Sequence, residues 1–299
     1  MNRFFYILAI IAILFSSCED VIDVEVPTDE ARLVIDGLIR VDTTQEFADV
    51  KIKITKTSSF FEPVEVVSDV PNIHIYYGVE NEFGELINGS FSNLAELEPG
   101  SGVYEPDPTF TSDQRIRTNN IQEETAFWLI LEYEDRRYAA KTYYATSVKI
   151  DDLQQGDGSL FNEDETEVII AYTDQPDKEN YYVFDFGFGN FLPSEDTFYQ
   201  NQPFSFSYFY DENLVTGDEI SVSILGADED FYNYMNLLIE QSEGGFGPFE
   251  TPAATVRGNI FDVTGIDNIN QYNNVEQPDN FPLGYFAFVQ EFKQSLVIE

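Results

Sequence analysis

Residue types that could do chemistry are scarce in this chain. Cysteine occurs once, as Cys18, and histidine once, as His74. Zinc sites of the usual kind and Cys–His nucleophiles need a second residue of this type, so both are excluded. A Ser-His-Asp arrangement would have to use His74, and no serine sits in a G-x-S-x-G elbow. No G-x-x-x-x-G-K-[ST] loop is present to cradle a phosphate. His74 lies between Ile73 and Ile75 in an alternating segment, so it faces away from them, at a solvated or core-edge position. Carboxylates, in contrast, number 55. Paired carboxylates serve glycosidases, but at that abundance pairs arise by chance. Asp151–Asp157 and Asn162–Glu167 offer oxygen ligands for calcium, although neither has the D-x-[DN]-x-[DN]-G spacing. No catalytic residue, metal ligand or cofactor is expected.

Cys18 has a different use. Asn2 and Arg3 give a short polar start with one positive charge, and Phe4 to Phe15 (FFYILAIIAILF) is unbroken apolar sequence. Ser16 and Ser17 then lead into Cys18. A positive start, a short apolar run and small residues before a cleavage point make a secretory signal peptide. The run is shorter than the roughly 20 residues a membrane-spanning helix needs. Leu14-Phe15-Ser16-Ser17-Cys18 resembles a bacterial lipobox, in which the cysteine is acylated and becomes the first residue of the mature chain. Lipidation would account for a lone cysteine in a secreted protein. Several acyl chains anchor firmly, because each buried methylene contributes about 0.8 kcal/mol. Glu19 and Asp20, with Asp23 and Glu25 behind them, resemble the acidic signal that sends Bacteroidota lipoproteins to the cell surface. The expected order is a leader over 1–17 and an acidic tether over 18–30.

Elements must then present whatever surface does the work. The chain has 299 residues, 43% hydrophobic and 15% aromatic, enough for two domains with sizeable cores. Eighteen Tyr and 27 Phe against two Met favour strands. A net charge of −40 argues against nucleic acid and against docking on anionic headgroups. Arg32 to Val41 reads as a strand. Asp49 to Thr57 alternates, with Val50, Ile52 and Ile54 on one face and Lys51, Lys53 and Thr55 on the other. Pro63 to Val67 is a short or edge strand, Asn72 to Val79 another, with a turn at 81–84. Pro99 to Tyr104 is a turn into a strand. Phe127 to Tyr133 and Tyr138 to Val148 form a hairpin. Short strands at regular spacing predict a β-sandwich over 31–150.

Asp151 to Glu165 is polar and acidic and reads as a linker or long loop. A second β-rich domain is expected over 151–299. Tyr182, Phe184, Phe186 and Phe188 alternate on one strand face, and Phe204, Phe206, Tyr208 and Tyr210 on another. Two such faces are what a core needs, although exposed rings would also suit sugars. Glu219 to Leu225 is a further strand. Phe231, Tyr234, Met235 and Leu238 recur at helical spacing, predicting one amphipathic helix over 228–241 with Asp228 as N-cap. Ala254 to Val263 and Phe286 to Ile298 close the chain as strands. Asn190 to Gln202 and the loop bearing Phe246 and Phe249 are the candidate contact surfaces, since loops carry binding.

Cys18-Glu19-Asp20-Val21-Ile22-Asp23-Val24 followed by Leu33-Val34-Ile35-Asp36-Gly37 resembles the start of the Bacteroidota lipoprotein family catalogued as domain of unknown function 4249. Pro63-Val64, Gly102-Val103-Tyr104, Tyr138-Ala139-Ala140-Lys141-Thr142, Gly217-Asp218-Glu219, Arg257-Gly258-Asn259-Ile260 and Pro282-Leu283-Gly284-Tyr285-Phe286 follow in the expected order. The resemblance covers nearly the whole chain. It implies a mainly β protein, with an N-terminal immunoglobulin- or transthyretin-like sandwich and a second β-rich domain with one helix. It also implies an outer-membrane lipoprotein, lipid-anchored and facing outward, and a companion of a SusC-like TonB-dependent transporter in substrate capture or uptake. A free-standing glycan-binding or adhesive lipoprotein is the alternative, and a carboxylate-based hydrolase a weaker third.

Overall fold

The first apolar alternation becomes β1 (Leu33–Val41), whose Ile35, Ile39 and Val41 are fully buried. The computed structural model describes residues 31–58, 62–160, 165–176, 178–196, 202–243, 255–265 and 281–299. β2 (Ile52–Lys56) buries Ile52 and Ile54 and leaves Lys53 exposed, the period-two division its sequence carries. β3 (Glu65–Val66) is a two-residue edge on β2. The hairpin strands follow: β4 (Asn72–Glu80), β5 (Leu86–Glu96), β6 (Val103–Pro106), β7 (Thr125–Tyr133) and β8 (Arg136–Ala145). β5 is absent from the sequence reading. Asn88-Gly89-Ser90 looks like a turn, yet in the structure it runs through a strand that bulges opposite Tyr77 to Val79.

These strands do not form the expected immunoglobulin- or transthyretin-like sandwich. Their hydrogen bonding runs β1-β2-β6-β5-β4-β7-β8, and the last strand, β16 (Leu283–Val297), closes the ring. β16 lies parallel to β1 from Val34↔Leu283 to Val41↔Gln290 and parallel to β8 at Phe288↔Tyr144 and Val289↔Ala145. The result is an eight-stranded, barrel-like closed sheet. Inside it the Phe127 and Phe288 rings stack at 3.7 Å across the closure. Sandwiches and small barrels share the same inward–outward alternation, so local pattern does not distinguish them.

The second half adds β9 (Ile150–Gln155), β10 (Thr166–Thr173), β11 (Tyr181–Asp185), β12 (Phe191–Glu195), β13 (Pro203–Tyr210) and β14 (Glu219–Ala227). β13-β10-β9 is a separate three-stranded sheet, while β12-β11-β14 continues from the C-terminal half of β16. Between them lies a second core with Val168, Ile170, Tyr172, Tyr182, Phe184, Phe186 and Tyr210. The aromatic alternations are therefore core faces, except that Phe188 stands 64% exposed beyond the end of β11. The segment read as a linker over 151–165 begins with β9. Its Asp151, Asp152 and Gln154 point to water while Leu153 packs on the core, as suits an edge strand. Residues 31–299 make one compact unit, and the first core draws on Ile260, Phe286 and Phe288, because β15 (Ile260–Asp262) and β16 return to the first sheet.

Among the described residues there is one α-helix, α1 (Glu229–Glu243), and it covers the outer face of β11 and β14. Asp228 Oδ1 accepts a 2.8 Å hydrogen bond from the Phe231 N–H, the expected N-cap. Phe231 and Met235 are buried on Val183, Leu225 and Tyr285, and Tyr234 packs beside them. Leu238, expected on the same stripe, is 39% exposed. Among the described residues no helix is long and apolar enough to cross a membrane.

Candidate functional site

The outer wall of the barrel carries the arrangement best suited to a ligand. β5, β4, β7 and β8 lie side by side, so Phe91, Tyr76, Trp128 and Lys141 form one row across the sheet. Phe127, Leu129 and Leu131 alternate with Trp128 and point into the core. The Phe91 and Tyr76 rings stack at 4.4 Å and 20°, and Phe91 is 54% exposed. His74 leans on the same Phe91 ring at 5.7 Å. Gly89 makes room for this stack: a β-carbon there would meet the Tyr76 ring at 2.3 Å.

A charged end abuts the row. Lys141 Nζ lies 5.0 Å from the Trp128 ring and 4.8 Å from the Tyr143 ring. The same nitrogen is 2.7 Å from Glu80 Oε1, and the Tyr143 hydroxyl donates to Glu80 Oε2 at 2.5 Å. Burial works against the Lys141 ammonium, but its bonds to Glu80 and Tyr143 outweigh that and its pKa is raised. Burial lowers the pKa of His74, with the nearby Glu132 opposing and Arg137 reinforcing the shift. Trp128 itself is buried under this charged end, so the accessible rings are Phe91, the half-buried Tyr76 and Tyr143. Rings bordered by a fixed cation and carboxylate suit a ligand with an apolar face and hydroxyl edges.

Other expected sites fare differently. Cys18, Glu19, Asp20, Phe246 and Phe249 lie outside the described residues. Within Asn190 to Gln202, the part over 191–195 is strand β12 rather than a loop. Of the acids proposed for calcium, Asp151 accepts from Thr173 Oγ1 at 2.7 Å and Glu167 from the Gly158 N–H at 2.8 Å, so these are spent on the β9–β10 connection. Among the described residues no group of three or more His, Cys, Asp or Glu side chains converges as metal ligands. A groove of about 470 Å³ beside the β7–β8 turn is lined by Pro71, Glu132, Arg136, Arg137 and Thr264. Its arginines already pair, Arg137 with Glu132 at 2.7 Å and Arg136 with Asp262 at 2.9 Å.

A family model described as domain of unknown function (DUF4249) matches residues 19–295. The chain belongs to the DUF4249 family. No curated protein matches it as a relative. Two of the sequence segments that carried the resemblance to DUF4249 meet in space. Arg257-Gly258-Asn259-Ile260 lies against Leu283-Gly284-Tyr285-Phe286, where a β-carbon on Gly258 would be 1.6 Å from the Gly284 carbonyl oxygen. In this DUF4249 chain those segments build the barrel seam rather than a ligand site.

The outer aromatic row was missed in the sequence. Trp128 and Ile130 lie in a continuous apolar run, FWLILEY, that hides which residues face out. Phe91 lies in a strand whose polar neighbours disguise it. The one available signal was Tyr76 in an alternating strand.

Proposed function

We propose that this protein is a non-enzymatic, surface-exposed outer-membrane lipoprotein of the Bacteroidota kind, accessory to a SusC-like TonB-dependent transporter in substrate capture. The observation that carries the reading is the junction at Cys18. An apolar leader ends there, and the family match begins at the next residue, Glu19. The shared body of the family thus starts where lipid attachment would leave the mature N-terminus. Glu19 and Asp20 supply the export signal, and residues 18–30 the tether. The net charge of −40 suits a soluble face outside the cell and disfavours nucleic acid. Affinity purification from outer membranes in mild detergent tests the partnership; recovery without a TonB-dependent transporter ends it. Cys18→Ser should leave the chain unprocessed and unacylated, as read by mass spectrometry.

The second reading is a free-standing glycan-binding or adhesive lipoprotein. Stacking of Phe91 on Tyr76 at an exposed barrel wall favours it. Glycan-array binding abolished by Phe91→Ala, with the fold intact, would support this reading; binding abolished only by Phe246→Ala or Phe249→Ala would move the site to that loop.

A further inference from the structure

Three chain segments meet in water-excluded contact at one end of the second core. Asp174 follows β10, Asn180 precedes β11 and Asp196 follows β12. Asn180 and Asp196 extend the β11–β12 ladder by one rung. The Asp196 N–H donates to the Asn180 carbonyl at 3.1 Å, and the Asn180 N–H donates to Asp196 Oδ2 at 3.0 Å. Asp174, Asn180 and Asp196 are only 2%, 6% and 0% exposed. Two carboxylates therefore share one dry site.

The site holds more acceptors than donors. Asn180 Nδ2 is surrounded by Lys178 O at 2.9 Å, Asp196 Oδ2 at 3.3 Å, Gln175 O at 3.4 Å and Asp174 Oδ1 at 3.5 Å. An amide nitrogen has two hydrogens, so it cannot satisfy four oxygens. The Tyr182 hydroxyl supplies one further bond, to Asp174 Oδ1 at 2.7 Å. Asp196 Oδ1, fully buried, has no hydrogen-bond partner. Burial raises the pKa of Asp196; its bonds from Asn180 work against this, and the charge of Asp174 and a hydrogen bond between the two carboxyl groups raise it further. A buried carboxylate so placed must hold either a proton or a cation.

We propose that Asp174, Asn180 and Asp196, with the main-chain carbonyls of Gln175 and Lys178, form a calcium site that ties β10 to the β11–β12 hairpin. Carboxylate, carbonyl and amide oxygens are the ligand set calcium takes, six to eight oxygens at about 2.3–2.6 Å. Rotation of the Asn180 amide turns its oxygen toward the ion, since the two orientations differ little in shape. A cation at this point neutralises both carboxylates and gives Asp196 Oδ1 its partner. The sequence spacing, two acids 22 residues apart, matches no known loop motif. The proposal stands independently of the transporter reading.

The test uses the purified full chain in mild detergent, stripped with EGTA. At ~10 mM calcium the melting temperature should rise by about 3–5 °C if the affinity is that of an extracellular module. Terbium should bind in calcium's place and emit on excitation of tyrosine, since the Tyr182 hydroxyl touches Asp174. Both responses should vanish in Asp196→Asn and persist in Asp152→Asn, an exposed acid on β9. Asp174→Asn serves as the second ligand variant should Asp196→Asn fold poorly. A wild-type chain with neither response overturns the proposal and leaves a shared proton in the site. A calcium response that survives both ligand variants overturns it equally, by placing the ion elsewhere.

Discussion

Asn259 bonds Phe286 from both sides of one residue: its Nδ2 donates to the Phe286 carbonyl at 2.7 Å, and its Oδ1 accepts from the Phe286 N–H at 2.9 Å. The same Nδ2 reaches the Lys141 carbonyl of β8 at 3.0 Å. Main-chain pairing between β16 and β8 is confined to Phe288↔Tyr144 and Val289↔Ala145. Just N-terminal of that contact the Asn259 amide takes the place of a strand and continues the seam. Asn259→Ala would leave three backbone groups at the closure without these partners. The expected cost is at least about 3 kcal/mol in urea unfolding, since each of the three unmet groups costs about 1–3 kcal/mol. Asn259→Asp keeps the acceptor and loses the donor, so its loss should be intermediate in count of bonds but worsened by charge.

Gly89 decides whether the outer stack exists. An added β-carbon would stand 2.3 Å from the Tyr76 ring and must push it off Phe91. Gly89→Ala should destabilise by about 1–3 kcal/mol, the usual cost of overpacking. Any glycan binding through Phe91 and Tyr76 should fall with it. Calorimetric titration against the best array ligand checks this, and unchanged affinity would remove the row from the site.

Tyr104, 1% exposed, holds the segment between β3 and β4. Its hydroxyl donates to the Val67 carbonyl at 3.0 Å and accepts from the Val70 N–H at 3.1 Å. Tyr104→Phe keeps the ring and strands both groups. Thermal or denaturant melting should show a loss of about 1–3 kcal/mol, and hydrogen exchange at Val70 should speed up first.

His74 is the one histidine, so its titration is read without assignment ambiguity. Burial lowers its pKa below 6.5, the ordinary value. The folded chain therefore binds fewer protons than the unfolded chain in that range. Its contribution to stability is complete above about pH 6.5 and is lost as pH falls through the folded value. The ring-proton NMR midpoint should lie below 6.5, and His74→Phe should flatten this part of the stability profile. A midpoint above the ordinary value would contradict the packing against Phe91.

Much was written locally. Ile52 and Ile54 against Lys51 and Lys53, and Tyr182, Phe184 and Phe186 in alternation, state which face of a strand is buried before any partner is known. Asp228 three residues ahead of Phe231 states where the helix starts, because a cap bonds within one turn. Cys18 at the end of an apolar run is likewise a local signal. Partner choice is not local. Val34 meets Leu283 across most of the chain, and that parallel pairing turns a sandwich-like pattern into a closed sheet. Polar Asp151 and Asp152 belong to a strand only because β10 lies beside them. Trp128 faces outward, and Asp174 meets Asp196, only once the strands on either side are in register. Side-chain period tells a residue whether to be buried; which residues it is buried with depends on contacts that span hundreds of positions, and these exist only in the folded chain.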